Sequence, residues 1–290
     1  MKFVLGKRFA AYLTMSRLSN IPTVCSNCLV GISLAGGCGI DMIFFVLSAL
    51  FCYYIAGMFL NDAYDARWDA QNRPERPIPQ GMVSTKKAFQ IAWSLLLLSN
   101  IFALCGSILN DSLSYKIAIW CFILTSSIFL YNKFHKKYIY SPLLMALCRV
   151  CVYCIAAFMI QATTPGGLYA YSAVLGSYIL GISYIARQET AVKLVYRWPL
   201  LFLFFPVVYT LPIDPFSFFL WLSFLGYVLY CSYGIMKKNG QIALYVGLLI
   251  AGISLLDSLI LLSLGAIFFA LISIICFFLT IIFHRIIPGT

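Results

Sequence analysis

The sequence predicts an all-α integral membrane protein of nine or ten transmembrane helices, organised as one polytopic domain over residues 1–290. Three observations carry this. Of its 290 residues, 62% are hydrophobic and only 10% charged, with mean hydropathy +0.94, whereas soluble domains carry roughly 25% charged residues. Apolar stretches of about 18 to 22 residues recur along nearly the whole chain, each long enough for a hydrocarbon core of roughly 30 Å. Lysine and arginine alternate between the gaps so as to mark one side of a membrane.

The basic N-terminal segment (Lys2, Lys7, Arg8, Arg17) leads into an apolar stretch of helix length with no small-residue cleavage pattern, so it reads as a retained first span. Counting that stretch as the first, the spans are 21–39, 43–60, 88–108, 113–131, 142–160, 168–186, 196–212, 215–235, 242–260 and 264–284. The seventh is short and ends at Leu211-Pro212-Ile213-Asp214-Pro215, and only Ser263-Leu264-Gly265 divides the last two, hence nine or ten. With the N-terminus cytoplasmic, 18 of the 20 Lys and Arg residues fall on the cytoplasmic side. Lys116 lies on the other face with Asp41, Asp111 and Asp214, and Arg149 falls inside a span. The expected location is a bacterial inner or organellar membrane.

The net charge of +11 is that of a basic cytoplasmic rim facing anionic lipid headgroups, which leaves nucleic acid without a role. Most of the eleven cysteines lie within apolar stretches and read as reduced, buried thiols. Cys25-x-x-Cys28 has no second pair for a metal site, and Cys148, Cys151 and Cys154 read as small-residue helix packing. No phosphate-binding glycine loop, nucleophile elbow or zinc spacing occurs.

The acidic run is Asn61-Asp62-Ala63-Tyr64-Asp65-Ala66-Arg67-Trp68-Asp69, which begins where an apolar span ends and opens a loop over 61–87. On a helix, Asp62, Asp65 and Asp69 fall within a fan of roughly 60°, and Asn61 widens it to about 100°. Three carboxylates on one face repel unless a cation sits among them. Mg²⁺ takes such hard oxygens together with substrate phosphate oxygens, so the run reads as a metal-bridged diphosphate site. The competing reading is a solvated loop. Downstream, Arg73-Pro74-Glu75-Arg76-Pro77-Ile78-Pro79-Gln80-Gly81 forbids helix continuation and offers Arg73 and Arg76 to phosphate. Ser84-Thr85-Lys86-Lys87 opens the next helix.

Asn61-Asp62-x-x-Asp65-x-x-x-Asp69, followed by Arg76-Pro77-Ile78-Pro79-x-Gly81, resembles the first aspartate-rich motif of the UbiA superfamily of intramembrane prenyltransferases. Arg17-Leu18-Ser19-Asn20 and Tyr131-Asn132-Lys133-Phe134-His135-Lys136 resemble further pieces of it, over about residues 12 to 190. Ser141 to Arg149 and the segment around Asp257 are most similar to the EboC-like branch. The resemblance implies a helical bundle around a central cavity. There Asp62, Asp65 and Asp69 bind Mg²⁺ and act on a polyprenyl diphosphate, whose tail lies in an apolar tunnel. Ionisation of the allylic C–O bond then exposes a carbocation to an aromatic or other electron-rich acceptor.

Such enzymes normally carry a second acidic motif after the sixth span. Here the loop over 187–195 reads Arg187-Gln188-Glu189-Thr190-Ala191-Val192-Lys193, with a single carboxylate. Two readings follow. Glu189 serves one remaining metal while Arg187, Lys193, Lys133 and Lys136 hold phosphate directly; or the chain has lost transfer chemistry and binds or moves a lipid or metabolite on the same fold. Arg149, about eight residues into the fifth span, is a candidate contact for acceptor or diphosphate, or else a snorkelling or Glu189-paired side chain. Tyr184 is a further candidate beside the second loop. Asp257 reads as an inter-helix hydrogen-bond partner, Asn20, Asn27 and Gln161 as packing or interface groups, and His135 as no metal ligand.

Overall fold

The computed structural model describes residues 2–188, 196–212, 214–237 and 241–286. Described elements are all helical: α1 Lys2–Ser16, a 3₁₀ turn Leu18–Asn20, α2 Ile21–Leu34, α3 Ile40–Asn72, α4 Thr85–Leu109, α5 Tyr115–Phe134, α6 Ser141–Phe158, α7 Leu168–Ala186, α8 Pro199–Tyr209, α9 Pro215–Met236, α10 Ile242–Ser263 and α11 Ile267–Ile286. Each of the ten expected spans has a helix, but among the described residues eight are long and apolar enough to cross a membrane. The two short ones have local causes. Ala35-Gly36-Gly37 stops α2 after 14 residues, with both glycines at positive φ. Pro199 starts α8, which Pro212 keeps from extending, so only 11 residues are helical. The chain is a multi-pass membrane protein.

Local signals set the helix ends that matter for the site. α3 runs 33 residues and stops at Arg73, since the residue before Pro74 is driven out of the helical region. α4 starts where the Ser84 side chain accepts the Lys87 N–H at 3.3 Å. At the opposite face, Asp214 caps α9 by accepting the backbone N–H groups of Phe216 (2.8 Å) and Ser217 (3.0 Å). Hydrogen bonds from Ser217 hold the Asp214 carboxyl below its ordinary pKa.

Sequential helices pack as antiparallel neighbours, and α2 sits inside, against α6, α10 and α11. Gly31 permits this: a Cβ there would stand 2.6 Å from Ala156 Cβ and 2.7 Å from the Tyr153 carbonyl oxygen. Alternation of direction brings the ends of α3, α5 and α7 and the starts of α2, α6 and α10 to one face. A cavity of about 420 Å³ opens among these ends.

Candidate active site

The last three turns of α3 supply the acidic run, and its side chains are buried: Asn61, Asp62, Asp65 and Asp69 are all at or below 9% exposed. Each carboxylate meets a cation from another segment. Arg17 Nη2 lies 3.2 Å from Asn61 Oδ1 and 3.4 Å from Asp62 Oδ1. Arg76 Nη1 bridges Asp62 Oδ1 at 3.2 Å and Asp69 Oδ2 at 3.0 Å. Lys136 Nζ reaches Asp65 Oδ1 at 2.7 Å, and His135 Nε2 stands 3.4 Å from Asp65 Oδ2. The repulsion expected of three clustered carboxylates is thus offset by three permanent cations, and two of these, Arg76 and Lys136, were expected on phosphate. Only Asp65 of the three carboxylates lines the cavity, with Asn61, Arg17, Arg73, Arg76 and Lys136 around it.

Arg17 owes its reach to its backbone. Its φ of 44° and ψ of 49° are left-handed, unusual outside glycine. The kink between α1 and the 3₁₀ turn aims the guanidinium across at α3, and the Arg17 carbonyl accepts the Tyr54 hydroxyl at 3.0 Å. Asn61 is fixed from its other end, donating to Asn132 Oδ1 at 3.2 Å, and Asn132 donates to the Ile128 carbonyl at 2.9 Å. Tyr131 stacks on His135 with ring centroids 5.2 Å apart.

The other expected residues divide between the cavity wall and its surroundings. Arg187 lines the cavity but its Nη1 is committed to the Tyr138 carbonyl at 2.8 Å, the His135 carbonyl at 3.1 Å and Ser141 Oγ at 2.6 Å. Through that nitrogen it pins the turn between α5 and α6. Lys133 is absent from the cavity wall, with its Nζ 5.4 Å from the Phe129 ring centroid and 5.3 Å from that of Phe134. It stands in the last turn of α5, whereas Lys136, three residues on, reaches Asp65 on α3. Tyr184 also leaves the wall, packing on Trp198 at 4.8 Å. Arg73 lines the cavity, 5.7 Å from the Trp68 ring centroid. Glu189 and Lys193 lie outside the described residues. Arg149 lines the cavity deeper in, held by Asn27 and Thr23. Asp257 is, as expected, an inter-helix partner, and its donors include the Tyr153 hydroxyl.

The donor set suits Mg²⁺ in kind: carboxylate and amide oxygens, of which Asp69 Oδ1 is buried without a hydrogen-bond partner among the described residues. It is not gathered as a ready-made ion site, for no three acidic, His or Cys side chains among the described residues converge on one point. Arg76 stands between Asp62 and Asp69 where an ion would.

Known proteins resemble this chain in sequence and in fold. Segments match digeranylgeranylglyceryl phosphate synthases: that of Methanosarcina mazei is 45% identical over 58 residues (18% of this chain, 20% of the relative). That of Saccharolobus solfataricus is 33% identical over 103 residues (32% and 36%), and that of Methanocaldococcus jannaschii 27% over 140 residues (47% and 46%). The chain thus spans less than half the length of these curated relatives. A solved structure concerning digeranylgeranylglyceryl phosphate synthase in membranes superposes with TM-score 0.55 at 19% identity, covering 90% of this chain and 99% of that one. A UbiA homologue from Archaeoglobus fulgidus bound to DMAPP and Mg²⁺ superposes with TM-score 0.53 at 14% identity, covering 85% and 99%. Likeness at such identity shows the fold alone. The family model for the UbiA prenyltransferase family matches residues 24–239, well over half of the 290. The chain belongs to the UbiA prenyltransferase family.

Proposed function

We propose that this protein is a Mg²⁺-dependent membrane prenyltransferase, moving a prenyl group from a polyprenyl diphosphate to an electron-rich acceptor. The observation that carries the reading is the graded wall of one cavity, whose mouth of Asn61, Asp65, Arg73, Arg76 and Lys136 gives way to an apolar body that includes Leu50, Val24 and Ile253. Such a wall suits a molecule with a charged diphosphate and a hydrocarbon tail. Asp62, Asp65 and Asp69, with Asn61, would hold the ion, whose chemistry is to stabilise the departing diphosphate. Arg17, Arg73, Arg76 and Lys136 neutralise its remaining charge. The allylic C–O bond breaks with its electron pair leaving on the diphosphate. The acceptor supplies the pair for the new bond and releases a proton. Tyr53, Tyr54 and Tyr131 line the wall and are aromatic groups within it that would stabilise the carbocation, and the apolar body would keep water from capturing it.

The names of the curated relatives favour a glycerophosphate acceptor over an aromatic one, and the basic face favours a cytoplasmic mouth. A carrier that only binds or moves a lipid diphosphate draws support from the ion-paired state of Asp62 and Asp69. One experiment separates the two. Purified protein with geranylgeranyl diphosphate, Mg²⁺ and a panel of glycerophosphate and aromatic acceptors should release pyrophosphate, and Asp62→Ala should abolish this while staying folded in detergent. Unchanged turnover in Asp62→Ala sinks the assignment, and no consumption of donor with any acceptor favours the carrier.

A further inference from the structure

Below its charged mouth the cavity contains one more cation. Arg149 lies eight residues into α6, which at 1.5 Å per residue is about 12 Å inward from Ser141, the residue that Arg187 grips at the mouth. The cavity lining that it shares includes the apolar side chains Val24, Val152, Ile179 and Ile253. A charge at this depth is expensive and is retained where it binds something. The mouth cations Arg17, Arg76 and Lys136 are matched by carboxylates, but Arg149 has no carboxylate within 4 Å among the described residues.

It is nevertheless held firmly. Nη1 donates to Asn27 Oδ1 at 2.9 Å and Nη2 to Thr23 Oγ1 at 3.1 Å, both on α2. Asn27 cannot rotate, because its Nδ2 donates to Asp257 Oδ2 at 2.7 Å. Asp257, fully buried on α10, is itself fixed by the hydroxyls of Ser26 and Tyr153. Asn27 is thus a neutral spacer: it keeps the Asp257 charge from closing on the guanidinium and presents its acceptor oxygen instead. A guanidinium has more N–H donors than these two bonds use, in a planar fork that fits an oxyanion.

We infer that Arg149, oriented by Thr23 and by the Asn27–Asp257 pair, recognises an oxyanion on the prenyl acceptor, a phosphate monoester or a carboxylate, and so selects against neutral acceptors. This rests on the prenyltransferase reading only in calling the ligand an acceptor. The site lies deeper than the mouth residues that would hold the donor diphosphate, so the two anions bind apart.

The test uses the whole protein in neutral phosphatidylcholine nanodiscs with Mg²⁺. Binding is measured for dodecyl phosphate, dodecanoate and dodecanol and, separately, for an unreactive thiolodiphosphate analogue of geranylgeranyl diphosphate. One or both oxyanion probes should bind at least about tenfold more tightly than the alcohol, as charge-assisted hydrogen bonds imply, and which one does distinguishes phosphate from carboxylate. Arg149→Gln should erase the preference with donor binding little changed, and Arg149→Lys should restore part of it. Equal binding of all three probes to wild type, a preference that survives Arg149→Gln, or a loss confined to donor binding overturns the inference. Failure of the donor analogue to bind wild type counts instead against the prenyltransferase reading. If Arg149→Gln does not fold, wild-type protein photolabelled with dodecyl phosphate bearing a diazirine beside the ester decides: label on Met145, Cys148 or Val152 supports the site, and label only at mouth residues overturns it.

Discussion

At the scale of single residues, Arg76 is the side chain on which the acidic run turns, since its one nitrogen bridges Asp62 and Asp69. Removing one partner of a fully buried ion pair costs about 3–5 kcal/mol because a charge is left uncompensated. Arg76 is 16% exposed and Arg17 still faces Asp62, so Arg76→Ala should destabilise by only about 1–3 kcal/mol. The same change vacates the place an ion would take. Mg²⁺ should therefore raise the melting temperature of Arg76→Ala by more than it raises that of wild type, and an equal rise in both would show that Arg76 and the ion do not compete. The acidic run was legible in sequence because its spacing is local to one helix. Its counter-ions were not: Arg17 and His135–Lys136 arrive from segments 45 and about 70 residues away, and their pairing exists only once α1, α3 and α5 are packed. Of these, Arg17 did carry a signal, in the Arg17-Leu18-Ser19-Asn20 segment that the resemblance singled out.

At the scale of elements, composition located every span but could not fix its length. Hydropathy runs through Ala35-Gly36-Gly37 and across Pro199, whereas the backbone stops or starts there, so α2 and α8 fall short of a bilayer. α2 tolerates this because it is an interior helix that carries Thr23 and Asn27 to Arg149. Its seat depends on Gly31. Gly31→Ala would drive a methyl group to 2.6 Å from Ala156 Cβ, and neither backbone can yield without moving a helix, so a loss of about 1–3 kcal/mol is expected. Gly57 on α3 is the matched control, since its added Cβ would meet only Ile128 Cγ2 at 3.6 Å. Gly57→Ala should be neutral or slightly stabilising, as alanine is the better helix former. Thermal unfolding of both variants in one detergent checks the pair, and equal melting temperatures would mean that α2 does not pack on α6 as closely as described.

At the scale of the whole molecule, the fold sorts charge by face. Arg17, Arg73, Arg76, Lys86, Lys87, Lys136 and Arg187 stand at helix ends around the cavity mouth, while the opposite face holds Lys116 with Asp41, Asp111 and Asp214. Short basic loops favour the cytoplasmic side during insertion, and on that rule the proposed orientation has the mouth facing the cytoplasm. A water-soluble diphosphate headgroup would then enter from the cytoplasm while its tail slides in from lipid. Cysteines placed at exposed Glu75, in the loop after α3, and at exposed Thr163, between α6 and α7, test this directly. A membrane-impermeant maleimide should label Glu75→Cys in inside-out vesicles and Thr163→Cys in right-side-out ones, each above the signal of the eleven native thiols. The reverse pattern would turn the mouth outward. The basic rim would then have to be explained by anionic lipid or substrate on the outer leaflet, because insertion alone would have placed it on the other side.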